Sequence, residues 1–410
     1  MNKQLTLNQA AFYSEDRING SKVSRDSFVT TDSMLQDKNG ITTTPVLPKG
    51  SLIAFSEGDI LVGNIRPYLK KIWQADKKGG CSPDVLVLKA KSGIDPIFLY
   101  YSLFRDDFFN HMMKGSKGTK MPRGDKNQIL RFHIPEIYFT DQQNIAAILS
   151  SLDKKIALNH RINEELESMA QMIYNYWFVQ FDFPDKNGKP YKSSGGIMRL
   201  SDALKREIPN DWGDGSLLSL GEIIGGSTPP REVADYFTSD GISWITPRDL
   251  AFNTRYKFIT KGESDVSEKG IKAASLNIMP AGTILLSSRA PIGYLAIATE
   301  KVTTNQGFKS FVPNKGISTE FIYYTVKSMI PAIENNAVGS TFKEVSASTL
   351  KSIPICLPDN LVLKSYSAIV ENIFKRQSEA EREIKQLCEL RDWLLPMLMN
   401  QQVKASGKPK

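Results

Sequence analysis

The chain has 410 residues, more than one compact core usually holds, so we expect two or three domains. Its 52 Lys and Arg residues outnumber 44 acidic residues, and the net charge of +8 suits either a nucleic-acid partner or an ordinary solvated surface. Three scattered cysteines and three histidines argue against a disulfide framework and a metal site. The N-terminus has no apolar signal core and no run of 18 apolar residues occurs, so we expect a cytoplasmic protein that does not span a membrane.

Residues 1–140 form the first predicted domain. Short apolar runs such as residues 84–88, separated by glycine and proline, predict short strands bounded by turns. A loop over residues 114–126 places a basic residue at every third position, with glycines between them. Because glycine lets a backbone approach closely and basic side chains neutralise phosphates, we predict a DNA-facing loop; a flexible solvated loop is the alternative. The candidate DNA-binding residues of this domain are Arg66, Lys70, Lys117, Lys120, Arg123 and Lys126.

A long helix is predicted over residues 141–183. Thr140 and Gln143 match a capping box, and Asp182 and Pro184 end the pattern. Between them the helix carries a stripe of residues at 4-3-4-3 spacing, which is typical of a helix that packs along a partner helix. This stripe consists of Ile145, Leu149, Leu152, Ile156, Asn159, Asn163, Leu166, Ala170, Ile173 and Trp177.

After a predicted linker over residues 184–200, the chain repeats itself at an offset of about 223 residues. Residues 58–62 return as residues 282–286, and residues 94–101 return as residues 317–324. Several such matches in one order indicate a duplication. We therefore predict a second domain over residues 201–360 and an α+β fold with two similar mixed α/β domains.

The second domain has its own basic candidates, which are Arg231, Arg248, Arg289 and Lys343. An arginine can contact guanine through two hydrogen bonds, and Asn305 and Gln306 could contact adenine. Each of these residues could instead be structural. Arg289 could stabilise its own turn, and residues 305–307 could form a turn that holds a strand.

Residues 361–403 form a second predicted long helix with the C-terminal tail. Its stripe consists of Ile369, Ile373, Arg376, Ala380, Glu383, Leu387, Leu390 and Leu394. We predict that the two long helices pair as a coiled coil, with the polar stripe positions setting the register. The alternative is that each helix packs only on its own domain.

The sequence lacks the motifs of a catalyst. It has no GxxxxGK[ST] phosphate loop, and residues 228–230 only partly match the tetrapeptide that amino-methyltransferases use to hold a flipped base. Acidic clusters at residues 265–269 and 381–385 have spacing superficially suited to Mg²⁺, but we interpret them as surface and helix-stripe charges. We predict no catalytic residue, no metal and no cofactor.

Segments spread over most of the chain resemble the specificity subunits of Type I restriction–modification enzymes. The resemblance implies two target-recognition domains, each followed by a long helix, with the two helices antiparallel about a pseudo-two-fold axis. Each domain would recognise one half of a split, asymmetric DNA sequence, and the helix pair would set the separation of the halves. The matching segments are residues 58–61, 66–68, 225–229, 241–246, 287–293, 304–308, 339–342 and 394–400.

The resemblance also implies partners. They are double-stranded DNA, two modification subunits that hold S-adenosylmethionine and methylate adenine, and outer restriction subunits with ATP-driven translocation. The chain itself would select the target and catalyse nothing. The alternatives are a stand-alone nuclease or methyltransferase, and a coiled-coil adaptor that does not bind DNA.

Overall fold

The computed structural model describes residues 3–253, 255–339 and 343–404. The chain divides into two compact units: unit 1 contains Met1–Ala157 and Lys385–Lys410, and unit 2 contains Leu158–Ile384. Both boundaries fall inside the two long helices, so each unit includes a part of each helix. No helix in the described ranges is long and apolar enough to cross a bilayer.

Unit 1 is built on two four-stranded sheets. One has the strand order β2-β9-β6-β7 and is antiparallel, and the other has the order β3-β5-β8-β4 and includes the parallel pair β4–β8. A separate two-stranded pair, β1–β10, precedes the first long helix, α5. The elements are β1 (Gln4–Thr6), α1 (Leu7–Ala10), β2 (Ala11–Tyr13), β3 (Arg17–Asn19), β4 (Phe28–Val29), β5 (Ser51–Phe55), β6 (Ile60–Gly63), β7 (Ile72–Gln74), β8 (Gly79–Cys81), β9 (Val85–Ala90), α2 (Pro96–Phe104), α3 (Asp106–Lys114), α4 (Lys126–Ile129), β10 (His133–Pro135) and α5 (Phe139–Tyr174).

Unit 2 has a five-stranded sheet of order β14-β22-β19-β20-β17 and a four-stranded sheet of order β15-β18-β16-β21. Two-stranded pairs form between β13 and β23 and between β11 and β12. The elements are β11 (Met198–Ser201), β12 (Arg206–Pro209), β13 (Gly213–Ser216), β14 (Gly221–Gly225), β15 (Phe237–Thr238), β16 (Ile242–Ile245), α6 (Pro247–Phe252), β17 (Phe258–Ile259), β18 (Ser264–Val266), α7 (Glu268–Ala273), β19 (Ile284–Ser288), β20 (Ile292–Ala298), β21 (Val302–Thr304), β22 (Lys309–Pro313), α8 (Thr319–Asn335), α9 (Ala347–Ser352), β23 (Pro354–Leu357) and α10 (Asn360–Met399).

The duplication is confirmed at the level of elements. The order β2-β9-β6-β7 in unit 1 recurs as β14-β22-β19-β20 in unit 2, and the pair β1–β10 recurs as β13–β23. In each unit this two-stranded pair comes directly before a long helix, α5 or α10. The predicted α+β class with two similar mixed units and two long helices is therefore correct.

The central strands carry consecutive apolar residues because both faces of their sheet are buried. On β6, Ile60 and Val62 belong to the core that includes side chains of α2 and α5, whereas Leu61 belongs to the core beneath the second sheet. On β19, Ile284 and Leu285 divide between two cores in the same way. Consecutive apolar runs, rather than alternating ones, therefore mark these strands.

The start of α5 differs from the predicted capping box. The helix begins at Phe139, so Thr140 lies inside it. The Tyr138 carbonyl accepts the backbone N–H groups of Asp141 and Gln142. The Gln142 side chain is buried and bonds the backbone of Ile137 at 2.8 Å. Contacts with the preceding segment thus determine where the helix begins.

The buried stripe of α10 lies one position away from the predicted one. Ile369 and Leu390 are 46% and 42% exposed. Leu387 and Leu394 are only partly buried, while Ile373 is buried. The correction has a physical reason: polar Gln377 and Glu381 occupy inward positions, where they form hydrogen bonds with Lys257. The buried residues of the stripe include Tyr366, Val370, Ile373, Gln377, Glu381, Ile384, Leu395 and Leu398.

The predicted linker is exposed for most of its length but contains defined turns. The Asp185 carboxylate accepts the backbone N–H groups of Asn187 and Lys189, both at 2.8 Å. Tyr191 stacks on Phe183 with ring centroids 4.7 Å apart. The predicted boundary between residues 200 and 201 falls inside β11, so the second globular segment begins earlier than the sequence suggested.

Candidate nucleic-acid interface

A cleft of about 600 Å³ in unit 2 brings several of the predicted basic residues together. Arg231 follows β14, Arg248 lies on α6, and Arg289 follows β19, yet all three line the cleft. Asn305 contributes to its wall, and Trp244 of β16 also lines it. The sequence placed these residues in separate motifs, and the fold brings them to one surface.

Trp244 is held in a fixed orientation. Its side chain is buried, and the indole N–H donates to the Ser227 carbonyl at 3.0 Å. The Phe237 ring packs edge-on against it at 5.9 Å between centroids. The Arg231 guanidinium lies over the indole ring, 5.7 Å from its centroid, which is a cation–π distance. The cleft therefore presents a rigid aromatic surface with an arginine on it.

Two segments that the sequence singled out stabilise each other beside this indole. The backbone N–H of Ser227 donates to the Thr304 carbonyl at 3.0 Å, and the Thr228 hydroxyl bonds the Gln306 amide. A Cβ at Gly226 would clash with backbone carbonyl oxygens, so only glycine fits there. The Asn305 side-chain oxygen accepts the Gly307 N–H at 2.9 Å, which is the structural alternative considered for residues 305–307.

The other two arginines of the cleft have acidic neighbours. Arg248 lies 3.5 Å from Glu263, and Arg289 lies 3.6 Å from Glu344. Glu344 is also 3.7 Å from Lys309. These exposed or half-exposed pairs contribute little stability, but they orient the guanidinium groups and reduce the local positive charge. Lys343 precedes Glu344 and is exposed; residues 340–342 lie outside the described residues.

The basic loop of unit 1 is a small hairpin. Lys117 and Arg123 exchange two backbone hydrogen bonds of 3.0 Å, and Gly118 takes a positive φ of 93° near its tip. The Arg123 guanidinium bonds Asp84 at 2.5 Å, which ties the hairpin to the sheet. Lys120 is exposed at the tip. The loop thus has a defined backbone and presents basic side chains to solvent.

The remaining candidates of unit 1 differ in how far they are engaged. Lys70 bonds Asp106 at 2.8 Å and so has a structural partner. The Lys126 ammonium lies 5.6 Å from the centroid of the Tyr13 ring. Arg66 is exposed, and its backbone N–H donates to the Pro122 carbonyl at 2.7 Å.

A similar set of backbone pairs occurs around this hairpin in unit 1 and beside the cleft of unit 2, and we call it the recognition frame. In unit 1 the frame consists of residues 63–67 and the hairpin 117–123. In unit 2 it consists of residues 287–291 together with residues 338 and 344. Arg66 and Ala290 both have positive φ, 52° and 47°, and each precedes a proline. The frame thus carries different side chains in the two units. Its backbone pairs are Ile65–Arg123, Lys117–Arg123, Arg289–Glu344 and Val338–Glu344.

Each unit also has an ionic junction between the two long helices. In unit 1, Asp153 of α5 accepts from the Tyr101 hydroxyl at 2.5 Å and from Arg391 of α10 at 2.8 Å. The Arg391 guanidinium lies 4.7 Å from the centroid of the Phe104 ring. The mostly buried arginine therefore has a carboxylate partner and an aromatic neighbour.

The junction of unit 2 also has its carboxylate on α5, and not on α10, the repeat counterpart of that helix. Tyr324, the repeat counterpart of Tyr101, donates to Glu167 of α5 at 2.9 Å rather than to a residue of α10. Lys257, which is 5% exposed, lies 2.5 Å from Glu167. Burial acts to raise the pKa of Glu167, but the Lys257 charge and hydrogen bonds from Lys257 and Lys327 outweigh it, and that pKa falls to about 2.

Further polar contacts in unit 2 show that the helices run antiparallel there. Asn159 donates to Glu383 at 2.8 Å, and Asn163 donates to Glu381 at 3.1 Å. Glu381 also accepts the backbone N–H groups of Lys257 and Phe258 at 2.9 and 3.0 Å. The sequence pointed to the two asparagines and Glu383 as polar stripe residues, but it gave no signal for Lys257.

Carboxylates of the two acidic clusters considered for metal binding instead form an ion pair and hydrogen bonds within the protein. Asp265 is buried and pairs with Lys261 at 2.8 Å, and Glu381 accepts the hydrogen bonds just described. In the described part of the chain, no group of three or more His, Cys, Asp or Glu side chains could hold a metal ion.

A second stripe, on α5 and the π-helical turn Asn175–Val179 that follows it, faces solvent and was missed at the level of sequence. Met172 is 69% exposed, and the stripe borders a groove of about 720 Å³ that Ile173 and Trp177 also line. Its spacing of three, four or seven residues is the signal that could have revealed it. We call these residues the outer stripe: Leu158, Ile162, Met169, Met172, Tyr176 and Val179.

Comparisons with known proteins agree with the duplication. The family model described as the Type I restriction modification DNA specificity domain matches residues 8–168 and 209–389. The chain is similar to the Type I restriction enzyme HindI specificity subunit of Haemophilus influenzae, with 27% identity over 92% of this chain and 94% of that protein. It is also similar to the MjaIX specificity subunit of Methanocaldococcus jannaschii, with 43% identity over 187 residues.

The match to the MjaIX subunit spans 43% of each protein, so less than half of that relative is covered. Among solved structures, the S subunit of the Type I restriction-modification system from M. genitalium covers 97% of this chain and 95% of its own length. It superimposes with a TM-score of 0.60 at 16% identity. That likeness shows a shared fold.

Proposed function

This chain belongs to the family of Type I restriction–modification DNA specificity proteins, and from that premise we propose that it selects the DNA sequence on which a modification complex acts. Each unit recognises one half of a split target in double-stranded DNA. The observation that carries this proposal is the recognition frame, which appears in both units with the same pattern of backbone pairs and different side chains. Two similar binding surfaces with different chemistry suit a target whose halves differ.

Basic side chains on the frames and beside the unit 2 cleft supply the DNA contacts. Exposed Lys117, Lys120 and Lys126 suit phosphate contacts, because an ammonium on a flexible stem attracts a phosphate without dictating sequence. The more buried pairing of Lys70 with Asp106 favours a structural role for that residue. The remaining proposed contacts are Arg66, Arg123, Arg231, Arg248, Arg289 and Lys343.

The helix pair sets the separation of the two half-sites. Polar pairs such as Asn159–Glu383 and Asp153–Arg391 specify which residue of one helix lies opposite which residue of the other. A sliding of one helix would leave these partly buried polar groups without partners, which is costly. A fixed register supports a fixed spacer between the halves.

The outer stripe is the docking surface for a modification subunit. Its apolar side chains recur on one face of α5 over about six helical turns, and such a face fits an amphipathic helix of a partner. Two modification subunits with S-adenosylmethionine bind each chain, and restriction subunits join the larger complex. The chain performs no bond-making or bond-breaking step itself.

The test is DNA binding by the chain assembled with its modification subunits. Replacing Lys117, Lys120 and Lys126 together by Gln should weaken binding by on the order of tenfold or more and reduce the salt dependence by roughly one charge per lost phosphate contact. Arg123 is left intact because its bond to Asp84 supports the hairpin.

In the matched control, three exposed lysines of the predicted linker are replaced by Gln. They are Lys186, Lys189 and Lys192. This control should bind DNA with the affinity and salt dependence of the natural chain. Equal affinity for the loop variant and the natural chain would favour the adaptor alternative. Cleavage or methyl transfer by the chain alone, with Mg²⁺ and S-adenosylmethionine, would favour the enzyme alternative.

A further inference from the structure

We propose that Arg231 is a specificity-determining residue of unit 2 and that it contacts a guanine base. The inference rests on the proposed function, because it concerns the DNA half-site bound at the cleft. Three observations support it. The neighbouring amide oxygens already accept hydrogen bonds within the protein, the other two arginines of the cleft have acidic partners, and Arg231 contacts Trp244.

The amide side chains of Asn305, which lines the cleft, and of the neighbouring Gln306 are already hydrogen-bonded within the protein. Recognition of adenine requires both the oxygen and the nitrogen of an Asn or Gln amide at the base edge. The Asn305 oxygen accepts the Gly307 N–H at 2.9 Å, and the Gln306 oxygen bonds the Thr228 hydroxyl. Both oxygens thus stabilise the turn of the protein itself. At these positions adenine would have to share an amide oxygen that already accepts a hydrogen bond within the protein.

Arg231 differs from the other arginines of the cleft. Arg248 and Arg289 have carboxylates of Glu263 and Glu344 within 3.5 and 3.6 Å. Arg231 forms no ion pair with any of the described residues, and its guanidinium lies over the Trp244 ring. Its hydrogen-bond donors are therefore available to a ligand without the loss of an existing ion pair.

Trp244 limits the positions that this guanidinium can take. The indole is 3% exposed and its N–H is bonded to Ser227, so the ring is fixed. A planar guanidinium over an aromatic ring is stabilised there while its N–H edges remain free. Two parallel N–H groups match the O6 and N7 acceptors of guanine in the major groove. A guanidinium that contacts one particular base must be held in a fixed position, whereas a guanidinium that contacts a phosphate need not be.

The experiment measures sequence preference with the chain assembled with its modification subunits. A pool of DNA duplexes randomised over the target is enriched by binding, and the retained sequences are determined. Arg231→Ala should lose the preference for G·C at one position of the half-site bound by unit 2, by about 5- to 150-fold, with the other positions unchanged. Arg231→Lys keeps the charge but not the paired donors, so it should lose the same preference while binding strongly overall.

Arg382→Ala is the matched control, because it removes an exposed arginine of unit 2 that does not line the cleft. We expect it to leave the G·C preference at that position intact. An equal loss of affinity for all sequences in Arg231→Ala, restored by Arg231→Lys, would show a phosphate contact and overturn the inference. A natural complex with no sequence preference at all would overturn the proposed function as well, so the two failures are distinguishable.

Discussion

Glu167 combines several interactions on one carboxylate of unit 2. It accepts hydrogen bonds from Lys257, Lys327, Tyr324 and Gln377, which come from different elements of the unit. Burial lowers the pKa of Lys257 to about 8, although the Glu167 charge acts to raise it. The interactions at this single residue connect α5 to α8, to α10 and to the segment before β17, so its removal leaves the buried Lys257 ammonium without its ion-pair partner.

Glu167→Gln should therefore destabilise unit 2 by about 3–5 kcal/mol, the usual cost of removing one member of a buried ion pair. The measurement is denaturant unfolding followed by tryptophan fluorescence, with Trp73 and Trp393 replaced by Phe so that the remaining tryptophans of unit 2 report. Glu165→Gln, an exposed carboxylate two residues away, is the control and should change stability by less than about 0.5 kcal/mol.

The same variant tests a pH dependence. Glu167 has an ordinary pKa of 4.5 and a pKa of about 2 in the folded chain, so its contribution to stability is complete above pH 4.5 and is lost as the pH falls towards 2. The natural chain should lose stability between these values more steeply than Glu167→Gln. Parallel curves for the two proteins would contradict the role assigned to Glu167.

At the scale of elements, α5 has two faces with different purposes. Its buried stripe packs into the cores of both units, which include residues of α10, whereas the outer stripe is exposed over residues 158–179. In a soluble helix a continuous exposed apolar face of this length marks an interaction surface. The two faces explain why α5 is apolar around much of its circumference.

Met172→Glu should reduce the assembly of this chain with its modification subunits by tenfold or more, because it places a charge in an apolar contact. The fold should not change, since the side chain is 69% exposed. Co-purification and analytical ultracentrifugation measure the assembly. Ile197→Glu, an exposed apolar residue outside the stripe, provides the comparison and should assemble normally. Unaltered assembly of the Met172 variant would place the docking surface elsewhere.

At the scale of the whole molecule, duplication is the dominant feature. The family model matches the chain twice, and the units share a sheet order and a recognition frame. Unit 2 adds the β11–β12 hairpin and the parallel edge strand β17 to this common plan. In the proposed function each unit supplies one binding surface, and the two surfaces need a defined separation.

Removing one heptad from each long helix, residues 155–161 and 383–389, tests that separation. The deletion removes Asn159 together with Glu383 and keeps the ionic junctions of both units. Seven residues of helix measure about 10.5 Å, equivalent to about three base pairs of DNA. The methylated sites of a host that carries the variant should therefore have a spacer about three base pairs shorter. Retention of the original spacer would contradict the role of the helices.

The sequence by itself determined the duplication, the class of fold and the existence of both long helices. These features follow from patterns that are local or simply repeated: apolar runs such as residues 60–62 in a doubly covered sheet, and heptad spacing in α5. It also identified Arg231, Arg248 and Arg289, which the fold gathers around one cleft. It could not tell which of them is paired, because the partners Glu263 and Glu344 lie elsewhere in the chain.

Only the tertiary structure decided the register of α10 and the network around Glu167. Inward positions of α10 are taken by Gln377 and Glu381, polar residues that a search for apolar stripes passes over. Burial removes their hydrogen bonds with water, and Lys257, more than a hundred residues away along the chain, replaces them with its own hydrogen bonds and charge. A buried polar group is stable only with its partner, and that partner is set by the fold rather than by spacing along the chain.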